Sequence, residues 1–155
     1  MSRRPARTRV PASQSPASPS PATQSIASLS PTAPCPCGLA APYGECCGAF
    51  HAGKGAAPTA ERLMRSRYSA FVVRDPGYLL RTWFSGTRPP ELTLDADIRW
   101  TGLDVLGTTG GSAFHQEATV DFRARFRLRG QDGEQRENSR FVRENGLWVY
   151  VDEAP

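Results

Sequence analysis

Residues 1–34 of this 155-residue chain hold seven of its 14 prolines, four of its 19 Lys and Arg residues, and no Asp or Glu. The remainder, Cys35–Pro155, balances 15 basic against 15 acidic residues, so the net charge of +4 belongs to the tail. A neutral folded part argues against a nucleic-acid-binding domain, where basic residues should cluster on the fold. No apolar run approaches the roughly 18–20 residues of a membrane-spanning helix, and about 120 residues suffice for one core but not two.

The tail itself carries only Val10, Ile26 and Leu29 as bulky aliphatics among Ser, Pro and Ala. Such a composition buries too little surface to offset ordering entropy, so disorder is expected over 1–34. Arg-rich and acid-free also describes a transit peptide, but helical apolar periodicity is missing and no apolar core follows Arg3-Arg4. A start site assigned too far upstream would explain the same composition.

All four cysteines fall within thirteen residues, at Cys35, Cys37, Cys46 and Cys47. The spacing sets two close pairs on either side of a loop that carries the turn formers Gly38, Pro42 and Gly44. Two facing pairs of thiolates supply the four soft ligands of a tetrahedral zinc site. Disulfides would have to run across the pairs, because neighbours such as Cys46 and Cys47 close a strained ring, and they need an oxidising compartment that no secretion signal supports. The expectation is one structural zinc in a cytoplasmic protein, its shell closed by four thiolates and so without an open catalytic position. His51 could replace one thiolate, although a supporting or surface role suits it better.

Cys35-Pro36-Cys37-Gly38, Tyr43 and Cys46-Cys47-Gly48 resemble the SEC-C motif, the small zinc-binding element at the end of the SecA preprotein translocase ATPase and in many bacterial proteins. The continuation Pro58–Phe71, with Tyr78-Leu79, Thr82-Trp83, Glu137-x-Ser139-x-Phe141 and Trp148-x-Tyr150-x-Asp152, is similar to the uncharacterised bacterial YchJ-like proteins. The resemblance spans about residues 35–152 and implies a SEC-C motif over 35–53 followed by a nuclear transport factor 2-like domain over 54–155. Three departures stand out. Gly38-Leu39-Ala40 replaces the usual Gly-Ser-Gly, Arg136 stands where a histidine often precedes the glutamate, and a second SEC-C motif at the end is missing. SEC-C elements elsewhere look like docking devices for chaperones or ribosomes, so the resemblance implies a protein partner.

Read from the residues alone, Thr59 caps a helix to about Val73 whose apolar face holds Leu63, Met64, Tyr68, Phe71 and Val72. Asp75-Pro76 starts a second helix reaching Trp83 and Phe84, ended by Gly86 and Pro89-Pro90. From Ile98 the period becomes two, with a parity switch at Gly102 that signals a bulge. A turn is expected at Thr108–Ser112, then a strand alternating Ala118, Val120, Phe122, Ala124, Phe126 and Leu128 with polar residues. Gly130–Gly133 should turn into a third strand, and Asn145-Gly146 reads as a type I′ hairpin into the last. The fold class is α+β: helices on a curved four-stranded antiparallel sheet, a cone.

Parity then assigns side chains. The hairpin pairs Phe141 with Tyr150 and Ser139 with Asp152, so Glu137, Ser139, Tyr150 and Asp152 share the concave face with Phe122, Phe126, Phe141 and Trp148. Arg67 projects from the apolar arc of the first helix and should pair with Glu137 or, failing that, Asp152, since a lone buried charge is costly. Arg123, Arg125, Arg127 and Arg129 form an outer stripe, with Arg127 meeting Arg136, Arg123 meeting Arg140 and only Arg129 offered a partner, Glu134. That stripe is a solvated face or a site for an acidic partner.

Two functions compete. In one the protein is an interaction module, docking a partner through its zinc knuckle, with no catalytic residue. In the other the cone binds a small molecule and acts on it through Glu137 or Asp152, with Tyr68 or Tyr150 orienting the ligand. A cavity of about 300 Å³ or more reaching Glu137 would favour the second.

Overall fold

The computed structural model describes residues 28–155; the expected disorder of the tail lies outside these residues except for its last few. Residues 30–34, which composition groups with the tail, belong instead to the cysteine knuckle. Ala33 O accepts from Tyr43 N (2.7 Å), Pro31 O from Gly44 N (2.9 Å), and Pro34 bridges Pro42. The knuckle continues through a 3-10 turn, Tyr43–Glu45, and a short helix α1, Cys47–His51. Then come α2 (Ala60–Val72), α3 (Pro76–Arg81) and strands β1 (Ile98–Gly110), β2 (Glu117–Leu128), β3 (Gln131–Glu144) and β4 (Leu147–Glu153).

Local chemistry explains each start and stop. Thr59 Oγ1 accepts from Arg62 N (3.1 Å) to cap α2. Asp75 Oδ1 accepts from Tyr78 N (3.0 Å) ahead of Pro76 at the first turn of α3. Helix α3 is shorter than its apolar pattern suggests. After Arg81 the chain leaves the helix to run beside β4: Trp83 bridges Tyr150 in parallel, Tyr150 N donates to Thr82 O (2.9 Å) and Phe84 N to Tyr150 O (2.7 Å). Satisfying the backbone of β4 at its open edge outweighs three more helical residues.

The sheet is an antiparallel meander in the order β1-β2-β3-β4. The bulge expected at Gly102 is present between Trp100 and Gly102, and a second lies between Val105 and Gly107. With that curvature β1 runs through the expected Thr108–Ser112 turn as far as Gly110, and the chain reverses over the residues that follow. The β2–β3 turn is tighter than expected, at Arg129-Gly130, so β3 begins at Gln131. Asn145 (φ 56°) and Gly146 (φ 83°) both take positive φ, as a type I′ turn requires.

The core lies between α2 and the concave face of the sheet, where Leu63, Met64 and Tyr68 meet Leu103, Val120, Phe141 and Trp148. On the far face of α2, Ser66, Ser69 and Ala70 are fully buried. They are small enough to admit the knuckle and α3. No helix among the described residues is long and apolar enough to cross a membrane. Because the cap of α2 sets where the helix begins, Thr59→Ala should lower unfolding free energy by about 1 kcal/mol in denaturant titration with unchanged far-ultraviolet circular dichroism.

Candidate functional site

The knuckle brings Cys35, Cys37, Cys46 and Cys47 together, all buried, with their four Sγ atoms within 4.8 Å of one another. Cys37 Sγ and Cys46 Sγ, one from each close pair, are 3.7 Å apart. Four thiolates about 2.3 Å from one ion form a tetrahedron with edges of about 3.8 Å, so the cluster could hold a metal ion. The electrostatics point the same way. Contacts from the Cys37 and Cys47 thiols hold the Cys35 thiol far below its usual range. Contact with Cys35 then pushes Cys37 up to about 11, and Cys35 and Cys37 together push Cys47 well above the thiol range, because a second or third thiolate would sit against the first. A central cation is what lets all four ionise together. No disulfide joins the four cysteines.

His51 is not among the clustered ligands. Its Nε2 donates to Ser66 O on α2 (2.9 Å), which leaves Nδ1 to accept from Tyr43 OH (2.6 Å). Burial lowers the His51 pKa and raises that of Tyr43 to about 12, so both are neutral in this arrangement. Arg65 Nη1 donates to Cys37 O (2.6 Å), Cys35 Sγ lies 3.8 Å from Ser69 Oγ, and Arg81 Nη2 donates to His51 O (2.9 Å). These contacts fasten the knuckle to α2 and α3. Gly48 is required in this small unit: a Cβ there would stand 2.7 Å from Tyr43 O and 2.8 Å from the Tyr43 ring.

On the other side of α2 a cavity of about 420 Å³ opens into the cone. Met64, Arg67, Tyr68 and Phe71 form its helix wall, and Trp100, Phe122, Glu137, Phe141 and Tyr150 its sheet wall. β2–β3 register places Glu137 opposite Phe122 and Ser139 opposite Val120, which confirms their inward parity. Glu137 Oε2 accepts from Ser139 Oγ (2.8 Å) and from Tyr150 OH (2.9 Å), while Oε1 has only a long contact with Gln135 Nε2 (3.5 Å). Burial, and then the Glu137 charge, raise the Tyr150 pKa, so the phenol stays a neutral donor.

Arg67 does not form the ion pair expected with Glu137 or Asp152. The C-terminal carbonyls of α3 are nearer: Nη1 donates to Leu79 O (2.8 Å), Thr82 O (3.2 Å) and Thr82 Oγ1 (2.7 Å). A helix C-terminus supplies unpaired carbonyls and partial negative charge, which a buried cation can use. The guanidinium also lies over the Tyr150 and Trp83 rings, 4.7 Å and 5.2 Å from their centroids. Burial lowers its pKa to about 10, so it remains charged at neutral pH.

Asp152 leaves the concave set. A register shift between Arg140 and Phe141 pairs Ser139 with Glu153 and Arg140 with Asp152. The Asp152 carboxylate is then held by Arg140 Nε (3.0 Å) and Nη2 (3.2 Å) on the outer face, although the residue is still among those that line the cavity. The arginine stripe is likewise paired with aspartates. Asp104 takes Arg123 and Arg125, Asp132 takes Arg127, Asp97 takes Arg129, and Asp121 takes Arg136. The expected clash of Arg127 with Arg136 disappears because the tighter turn sets Arg127 opposite Asp132; Arg123 faces Arg136, and Arg140 faces Thr119. Several pocket residues were not found from the sequence, among them Glu153, which the register shift sets opposite Ser139. Gln135 shares the parity of Glu137 and could have been found by it, whereas Trp83 arrives only through the pairing of its segment with β4.

Comparison with known proteins agrees with this architecture. Residues 59–153 match the family model described as YchJ, middle NTF2-like domain. A UPF0225 protein of Streptomyces coelicolor is 58% identical over 122 residues, covering 79% of this chain and 95% of the relative. One from Xanthomonas campestris is 52% identical over 126 residues, with the same coverage. Among solved structures, a SEC-C motif containing protein from Rhodopseudomonas palustris superposes with a TM-score of 0.68 at 30% identity, covering 77% of this chain and 96% of the other. A second, from Psychrobacter arcticus, gives 0.65 at 29% identity, covering 79% and 82%. With its cysteine knuckle packed on a nuclear transport factor 2-like cone, the chain belongs to the YchJ-like UPF0225 family.

Proposed function

We propose that this protein binds a small organic molecule in its cone and that a structural zinc in the knuckle braces the helix bearing half of the pocket. The observation that carries this reading is the cavity of about 420 Å³, walled by aromatic rings and reaching Glu137. It falls in the size range of small-molecule sites and has their pattern, an apolar wall with a few convergent polar groups. Within it Glu137 is the acceptor for a ligand proton, and Tyr150 and Ser139 fix the orientation of its carboxylate. Glu137 is also the residue on which any acid–base chemistry would turn.

Zinc is the ion that best suits four thiolates, and a closed shell gives it a structural role. Four free thiols fit a reducing cytoplasm. Docking of a chaperone or ribosome-associated partner is the other reading. The pocket is preferred to it because the inner side of the knuckle is committed to α2 and α3.

Purified protein should contain one zinc per chain by metal analysis. Cys46→Ser should lose it and raise amide exchange in residues 30–53, with β2 and β3 still protected. Recovery without stoichiometric metal would remove the zinc assignment.

A neutral fluorescent probe, N-phenyl-1-naphthylamine, should bind the wild type with enhanced emission. Ala124→Phe, which fills the cavity from β2, should weaken that binding at least tenfold while keeping the fold. Failure of the wild type to bind, or equal binding by the variant, would overturn the pocket reading. Glu137→Gln should cost only about 1 kcal/mol of stability, because an amide oxygen still accepts from Ser139 and Tyr150.

A further inference from the structure

Among the described residues several cations stand outside the ion pairs, and Arg67 is the buried one. Arg123 and Arg125 share Asp104, Arg127, Arg129, Arg136 and Arg140 each have an Asp, and Arg65 has Glu61, yet Arg67, only 7% exposed, has no carboxylate within ion-pair distance. All of its protein hydrogen bonds leave from Nη1. Nε and Nη2, the edge with two parallel N–H vectors, donate to no acceptor among the described residues, and the residue lines the cavity. Of the carboxylate residues that line the cavity, Glu137 is turned to Ser139 and Tyr150 and Asp152 to Arg140, while Glu153 stands opposite Ser139. Tyr150 separates the two charges, presenting its ring face to Arg67 and its hydroxyl to Glu137.

We infer that the cone pocket takes an aromatic or alicyclic monocarboxylate whose acid group seats on the Nε–Nη2 edge of Arg67 and whose hydroxyl or amino group donates to Glu137. The inference rests on the pocket reading above and names its ligand class.

Three features of the cavity select that class. A guanidinium edge matches the planar fork of a carboxylate and binds it through two parallel hydrogen bonds. The cavity lining carries one arginine beside Glu137, Asp152 and Glu153, which suits a monoanion; a phosphate dianion would meet one cation and be repelled by Glu137. The rings of Phe71, Trp100, Phe122 and Phe141 that line the remaining wall require an apolar body between the two polar ends. Glu137 Oε1, with only its 3.5 Å contact to Gln135, has acceptor capacity for the ligand donor. In the wall itself, Gln135 Oε1 and Trp83 Nε1 are buried without a partner among the described residues, an acceptor and a donor open to a polar ligand.

The test compares matched acids and amides on the full-length, zinc-loaded protein: 4-hydroxyphenylacetate against 4-hydroxyphenylacetamide, and indole-3-acetate against indole-3-acetamide. Binding is followed by protein-observed NMR on pocket resonances. Each acid should bind at least tenfold more tightly than its amide. Arg67→Gln should erase that preference and Arg67→Lys should retain part of it. If Arg67→Gln does not fold, Glu137→Gln provides the second reading: removing the like charge should tighten acid binding and reduce the advantage of the hydroxylated compound over phenylacetate. Equal affinity for acids and amides, with pocket resonances shifting for both, overturns the ligand class and leaves the pocket standing. Absence of pocket shifts with all four compounds and with the neutral naphthylamine overturns both.

Discussion

Helix α2 is gripped from both sides, and most of the structure follows from that constraint. Its small polar face, Ser66 and Ser69, receives the knuckle, while its large face, Leu63, Met64, Arg67, Tyr68 and Phe71, closes the cone. A helix buried on two faces cannot rotate without breaking one contact or the other. The position of Arg67 in the cavity is therefore set partly by cysteines on the opposite side of the helix. A metal among four crowded thiols is the natural means of fixing so small a knuckle, since a unit of that size has no apolar core of its own. In this view metal binding and pocket geometry are coupled mechanically, through one rigid element.

The electrostatic layout separates two economies. On the convex face, arginines and aspartates pair in solvent, where each bond contributes little to stability and chiefly prevents a charged patch. In the cavity, Arg67 and Glu137 avoid each other. Arg67 is held by helix-end carbonyls and two aromatic faces, Glu137 by two hydroxyls. A direct pair would have satisfied Arg67 and Glu137 against each other. Their separation keeps each group half committed, which is the condition for recognising a ligand with two polar ends.

Several elements of the chain were legible without coordinates. Caps at Thr59 and Asp75, the bulge at Gly102 and the Asn145-Gly146 turn all rest on interactions spanning a few residues, so the local sequence is sufficient. Parity along β3 correctly turned Glu137, Ser139 and Phe141 inward, because alternation is a property of the strand itself. Asp152 was misassigned because parity counted from the hairpin holds only as far as the first irregularity. The shift between Arg140 and Phe141 comes within ten residues of the turn, yet no Gly or Pro lies between Arg140 and Arg143 on β3, or between Leu147 and Asp152 on β4, to mark it. Arg67 was placed on the correct face but given the wrong partner, since its acceptors come from the end of α3 and from Thr82.

By itself the sequence determined the family, the four clustered cysteines, the order of helices before strands, and the inward-facing acid of β3. These depend on residue identity, spacing and period, which are local quantities. Only the tertiary structure decided that the cone is hollow, that Asp152 belongs to the outer face, and that Arg67 and Glu137 stand apart across Tyr150. Cavity volume and charge pairing depend on how distant segments approach one another, and a distance between segments is not written in either of them alone.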